Sequence, residues 1–179
     1  VGAGVITVFT IGGSSTLRAG AITITALADL TPAADVGDTL ATALNPALGL
    51  NQSVRINSGI ASALDVDLQR VDLAAGDQLT LNVSNAVGYT YLRIFDATGT
   101  QLALLPLFSP GSANAPQRFT APSGGTYYVG VSGYANNSYN PNIAGSGNNA
   151  SYLGAYTLSV ERLAAGSRHQ FMDLDGDGQ

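Results

Sequence analysis

Two aspartates one residue apart, Asp65 and Asp67, are the first side chains in this sequence whose types and spacing could do chemistry. On an extended chain, residues i and i+2 point to the same side, so the pair makes an acidic face. Calcium takes about six to eight hard oxygen ligands, more than two carboxylates supply. Asp35 and Asp38, in the turn-rich stretch LTPAADVGD (30–38), could fold back and complete the shell. The plainer alternative is that Asp65 caps a turn and Asp67 faces water. A second acidic run, Asp173, Asp175 and Asp177, occupies positions 1, 3 and 5 of a calcium loop and puts Gly178 at position 6. The sequence ends at Gln179, before the glutamate that would close such a loop, so this run reads as an incomplete loop or a solvated acidic end.

The rest of the inventory argues against catalysis, and no catalytic residue is expected. The one histidine, His169, has Ser167 and Asp173 near it only in sequence, whereas a Ser-His-Asp site needs its members held rigidly together. Cys and Lys are missing, and so are the G-x-S-x-G, HExxH, phosphate-loop and dinucleotide fingerprints. Tyrosines gather late in the chain, at 127, 128, 134, 139, 152 and 156. Alternate residues of TYYVGV (126–131) should enter a core. Tyr134, Tyr139 and Tyr152 flank or sit in a long polar loop, 132–154. Exposed tyrosine among Asn, Ser and Gly is a binding-surface chemistry, suited to a glycan or a protein fibre. Alternatively, the rings fasten the loop to the domain.

The elements that must position these groups read as strands. VITVFTI (5–11) and AITITAL (21–27) are β-branched and could pair as a hairpin. Further strands are expected at 53–60, 66–73, 78–83, 89–95, 101–108, 117–121, 126–131 and 155–160, separated by turn signals. In VDLQRVDL (66–73) the apolar parity slips at Gln69-Arg70, which suggests a bulge. The segment 38–48 has some helical character and reads as an extended or one-turn lead-in. Strands at this spacing predict an all-β fold, a jelly-roll-like antiparallel β-sandwich with an extra N-terminal strand or hairpin. The expected organisation is an N-terminal strand segment and linker over 1–34, the sandwich over 35–162 and a tail over 163–179.

Composition sets the outer limits. The chain has 179 residues, 45% hydrophobic and 11% charged, with a net charge of −5. An acidic chain without a basic face is a poor partner for nucleic acid or anionic membranes. No apolar run reaches the roughly 18 residues that span a bilayer. Val1-Gly2-Ala3-Gly4 is not an intact signal peptide, and the chain reads as a piece of something longer. Low charge with abundant Ser, Thr, Asn and Gly fits a secreted, extracellular bacterial protein.

From Asp35 to Val160 the sequence resembles the bacterial pre-peptidase C-terminal domain family. The matching pieces are DTLATAL (38–44), DVDLQRVDLAAGDQLTL (65–81), LRIFDATGTQLA (92–103), FTAPSGGTYYVGVSGY (119–134) and GAYTLSV (154–160). The resemblance implies a small β-sandwich appended to secreted proteases and other exported proteins. Some relatives, including the collagen-binding modules of clostridial collagenases, bind calcium and insoluble protein fibres. In the calcium-binding ones, acids before the ATA-like segment and acids of the DVD-like segment meet at one ion, which implies Asp35, Asp38, Asp65 and Asp67 here. Many members carry an acidic pair shortly after the segment matching LRIFDATGTQLA; this chain has Leu104-Leu105-Pro106-Leu107-Phe108 there. The expected function is a calcium-stabilised accessory module that binds a fibre or glycan. The alternative is a structural subunit of a fibre or surface layer, binding copies of itself through its N-terminal strand.

Overall fold

A computed structural model describes residues 28–105 and 115–166. Its strands are β1 (Ala28–Leu30), β2 (Gln52–Ile60), β3 (Val66–Leu73), β4 (Gln78–Ser84), β5 (Thr90–Asp96), β6 (Gln101–Leu104), β7 (Gln117–Thr120), β8 (Gly125–Gly133) and β9 (Gly154–Leu163). They form two sheets, ordered β1-β2-β9-β4-β7 and β3-β8-β5-β6. Every pairing is antiparallel except that of β1, which runs parallel to β2 with Ala28 opposite Val54 and Leu30 opposite Ile56. Among the described residues no helix is long and apolar enough to cross a membrane.

Strand β4 shows most simply why these segments are strands. Leu79, Leu81 and Val83 are buried, and the polar residues between them point away. They meet Ile56, Leu158 and Val160 of their own sheet and Val71, Leu92, Ile94, Val129 and Val131 of the other in one apolar cluster. Apolar faces from both sheets sharing one core make the fold a β-sandwich, as the close spacing of the strand runs predicted.

Strand β3 corrects one expectation. There is no bulge at Gln69-Arg70, because β3 pairs with β8 without interruption, from Val66 opposite Ser132 to Leu73 opposite Gly125. A register shift lies instead between β5 and β6, at Ile94/Phe95. The parity slip arises because β3 is covered on both faces. Val71 and Leu73 enter the main core, whereas Val66 and Leu68 enter a smaller cluster with Phe95 and Tyr139. Asp67 and Gln69 therefore share the inward side with Val71 and Leu73, and both are buried.

Two irregular segments roof the smaller cluster. The first, 36–44, runs along β3, an edge strand of its sheet. The Leu68 amide donates to the Gly37 carbonyl (3.2 Å), the Leu44 amide to the Leu68 carbonyl (2.9 Å) and the Arg70 amide to the Leu44 carbonyl (2.8 Å). Leu40 and Ala43 pack onto the cluster. The expected lead-in is a single turn here, closed by the Thr42 amide on the Thr39 carbonyl at 3.0 Å. A bare edge strand offers its backbone groups to other chains; this strap occupies them. The second segment, the β8–β9 loop, lays Tyr139 over Gly130. Arg93 lies against the Phe95 and Tyr139 rings, 4.6 and 4.3 Å from their centroids, and donates to the Tyr139 carbonyl at 2.7 Å.

The expected strands 5–11 and 21–27, residues 106–108 of the expected strand 101–108, and residues 167–179 with His169, Asp173, Asp175 and Asp177 lie outside the described residues. At the margins of the expected segments, Leu30 ends β1 rather than opening a linker, and Leu163 still pairs with Gln78.

A Cβ at Gly130 would collide with the Tyr139 hydroxyl and the Leu68 side chain, whereas one at Gly125 meets nothing within 4 Å. Gly130→Ala should therefore cost about 1–3 kcal/mol in urea unfolding, and Gly125→Ala far less.

Candidate functional site

The strap brings Asp35 and Asp38 to the turn between β2 and β3, where Asp65 stands. The buried Val36 anchors one end of this arrangement, and the Leu40 amide, donating to the Pro141 carbonyl at 2.9 Å, anchors the other. Asp65 caps its own turn by accepting from the Ala61 amide, and the Asn136 side-chain amide donates to the Asp65 carbonyl at 3.3 Å. One carboxylate oxygen each of Asp35, Asp38 and Asp65 lies within 4.8 Å of the others. Asp35 is exposed, Asp38 half-buried and Asp65 buried. Burial, with the charges of Asp35 and Asp38, outweighs the Ala61 hydrogen bond and pushes the Asp65 carboxyl up to about 6. Beside the cluster opens a surface cavity of about 310 Å³, lined by Asp35, Val36, Gly37, Asp38, Thr39, Thr42 and Ala144.

Asp67 is not one of the three that converge. Its side chain is inside the sandwich at 0% exposure and accepts a hydrogen bond from the Tyr156 hydroxyl on β9. The alternative that Asp67 faces water is therefore corrected: the two-sided cover of β3 turns it into the core. Its Oδ1 makes no hydrogen bond to the protein. Burial, together with the charges of Asp65 and Asp35, raises its carboxyl to about 8 against the lowering effect of Tyr156 and Ser58.

The expected tyrosine surface divides. Tyr139, at 2% exposure, is a core residue under which Gly130 makes room, so it leaves the surface set. Tyr134 and Tyr152 are 42% and 44% exposed. They are joined by two residues that the sequence reading did not single out, Tyr89 and Tyr91. Ring centroids lie 6.1 Å apart for Tyr89 and Tyr134, 5.6 Å for Tyr89 and Tyr152, 6.1 Å for Tyr91 and Tyr134, and 6.2 Å for Tyr134 and Tyr152. The signal was present in YTYLRIF, where Tyr89 and Tyr91 take the parity opposite to the buried Leu92 and Ile94. Glycines admit the cluster: a Cβ at Gly88 would strike the Tyr152 side chain, and one at Gly133 would strike the Tyr152 carbonyl.

No protein-family model matches the sequence, and no curated protein matches it. Among solved structures, the chain is similar to PliG of Aeromonas hydrophila, a periplasmic inhibitor of g-type lysozyme. The TM-score is 0.45 and the identity 13%, over 75% of this chain and 99% of that one. PliG of Salmonella Typhimurium gives a TM-score of 0.38 and 14% identity, over 75% and 97%. The pre-peptidase C-terminal domain of collagenase from Bacillus anthracis gives 0.41 and 19%, over 66% and 94%. The last carries the name of the family that the sequence resembles, and the likeness is one of overall fold.

The buried Asp67 carboxyl generates a pH dependence. A carboxyl raised from 3.8 to about 8 on folding favours the folded state most below pH 4, and the advantage is lost as pH rises through the folded value. Asp67→Asn keeps an oxygen acceptor for Tyr156 and removes the titration. The stability of the variant relative to the parent should therefore improve steadily from pH 4 to pH 8, read as the difference in urea midpoints. A difference that stays flat over this range would contradict the burial of an ionisable group at 67.

Proposed function

We propose that this chain is a non-catalytic, extracellular binding module of a larger secreted bacterial protein, and that a calcium ion fastens its strap to the sandwich. The observation that carries this reading is the meeting of Asp35 and Asp38, from the strap, with Asp65, from the β2–β3 turn. These carboxylates repel one another, and a cation between them turns that repulsion into a crosslink. The donor set is hard oxygen without His or Cys, which suits calcium over transition metals. Backbone carbonyls and water would complete the shell. Support for the non-catalytic part comes from the inventory of one His, no Cys and no Lys, and from the use of the buried acid Asp67 to hold Tyr156 within the sandwich.

An ion that binds the folded state alone adds about 2.7 kcal/mol at a hundred times its Kd. For a domain of this size that should raise the melting temperature by roughly 5–10 °C. Calcium should also slow proteolytic cleavage within residues 30–40, and magnesium should substitute poorly because it demands tight octahedral geometry. Asp65→Asn should abolish both effects. Melting and cleavage that are indifferent to a chelator in the parent chain would remove calcium from this reading.

A further inference from the structure

We propose that Tyr89, Tyr91, Tyr134 and Tyr152 form a platform that binds an uncharged polysaccharide. This names the ligand of the binding module argued above and rests on that reading.

The platform is built rigidly. The Tyr134 amide donates to the Tyr89 carbonyl at 3.0 Å, and the Ser151 amide donates to the Tyr134 carbonyl at 2.9 Å. The three peptide segments that carry the rings are thus tied to one another, and Gly88 and Gly133 let them approach closely. Tyr89 meets Tyr134 and Tyr152 at tilts of 58° and 57°, and Tyr134 and Tyr152 meet edge to face at 69°. Tyr91 and Tyr134 are nearly parallel, at 17°. A preformed aromatic surface loses little ordering entropy when a ligand arrives.

Charge selects the ligand. The segments 85–91 (NAVGYTY), 133–136 (GYAN) and 148–154 (NNASYLG) contain no charged residue, in a chain whose net charge is −5. Arg93, two residues beyond Tyr91 on the same face of β5, is 7% exposed and donates to the Tyr139 carbonyl, so among the described residues these segments offer an anionic ligand no exposed cation. A cationic ligand would find no carboxylate in these segments. Protein partners are typically anchored by Arg as well as by aromatic residues, and these segments offer no Arg. What the platform does offer is ring faces, phenol hydroxyls and side-chain amides. Sugar rings present apolar C–H faces to stack on tyrosine and hydroxyls to exchange hydrogen bonds with phenol and amide groups.

The experiment is affinity gel electrophoresis of the full chain through a soluble α-glucan, a mixed-linkage β-glucan, a xylan and a galactomannan, with alginate as an anionic control. Runs with calcium and with chelator keep this test separate from that of the strap. At least one neutral polymer, but not alginate, should retard the chain. Tyr134→Ala and Tyr152→Ala should each weaken that retardation about tenfold with unchanged melting temperature, and Tyr152→Phe should keep most of it. The proposal is overturned if no neutral polymer retards the chain, or if retardation survives the double alanine variant. It is likewise overturned if the alanine variants instead abolish gelatin binding or a concentration-dependent dimer seen by sedimentation, since the occupant would then be a protein fibre or a second copy.

Discussion

The docking of the strap along β3 is the contact on which the rest of this structure depends. β3 ends its sheet, and an edge strand with unpaired backbone groups invites pairing with other chains. Residues 37–44 take up those groups through Gly37 and Leu44. In doing so they cover Val66 and Leu68 from outside the sandwich. Once that face is sealed, the strand has two buried sides, and its alternating polar residues must go somewhere. Asp67 goes inward to Tyr156, and Asp65, just before the strand, meets the carboxylates that the strap brings. The acidic cluster is thus a by-product of closing an edge.

The strap also serves both sheets. It leaves β1, which pairs with β2 at one edge of the first sheet, and passes to β3 at the edge of the second. The two edges lie on the same side of the sandwich, joined by the short β2–β3 turn. Three carboxylates stand where the strap crosses. The electrostatic consequence is local: Asp65 is held in a raised, partly desolvated state by burial and by its neighbours' charges.

The β8–β9 loop connects this region to the tyrosine platform. Asn136 donates from its side chain to the Asp65 carbonyl, and the Ala150 amide donates to the Ala63 carbonyl at 2.7 Å. Tyr134 and Tyr152 stand next to these attachment points. The long polar loop is therefore pinned near both ends to the β2–β3 turn. Tyr139, in its middle, is pinned to the sheet by Phe95 and Arg93. Of the two roles weighed for loop tyrosines, fastening falls to Tyr139 and exposure to Tyr134 and Tyr152.

The sequence alone determined what depends on neighbours along the chain. Clean period-two alternation marked β4, and the limits of β3 coincide with those read from VDLQRVDL, because a strand's burial pattern is written locally. The acids that meet at the strap were legible by type and through the family resemblance. Tertiary structure decided which way ambiguous residues face. The slip in β3 read as a bulge because a second layer over the outer side of a sheet leaves no periodic trace in the strand beneath it. Asp67 was open between a calcium ligand and a water-facing residue, and Tyr139 between a surface ring and a fastener of the loop; both are buried, because the strap and the loop that enclose them are placed by contacts far apart in sequence. Tyr89 and Tyr91 passed as ordinary strand residues for the same reason: only when Tyr134 and Tyr152 are folded against them does an aromatic cluster exist.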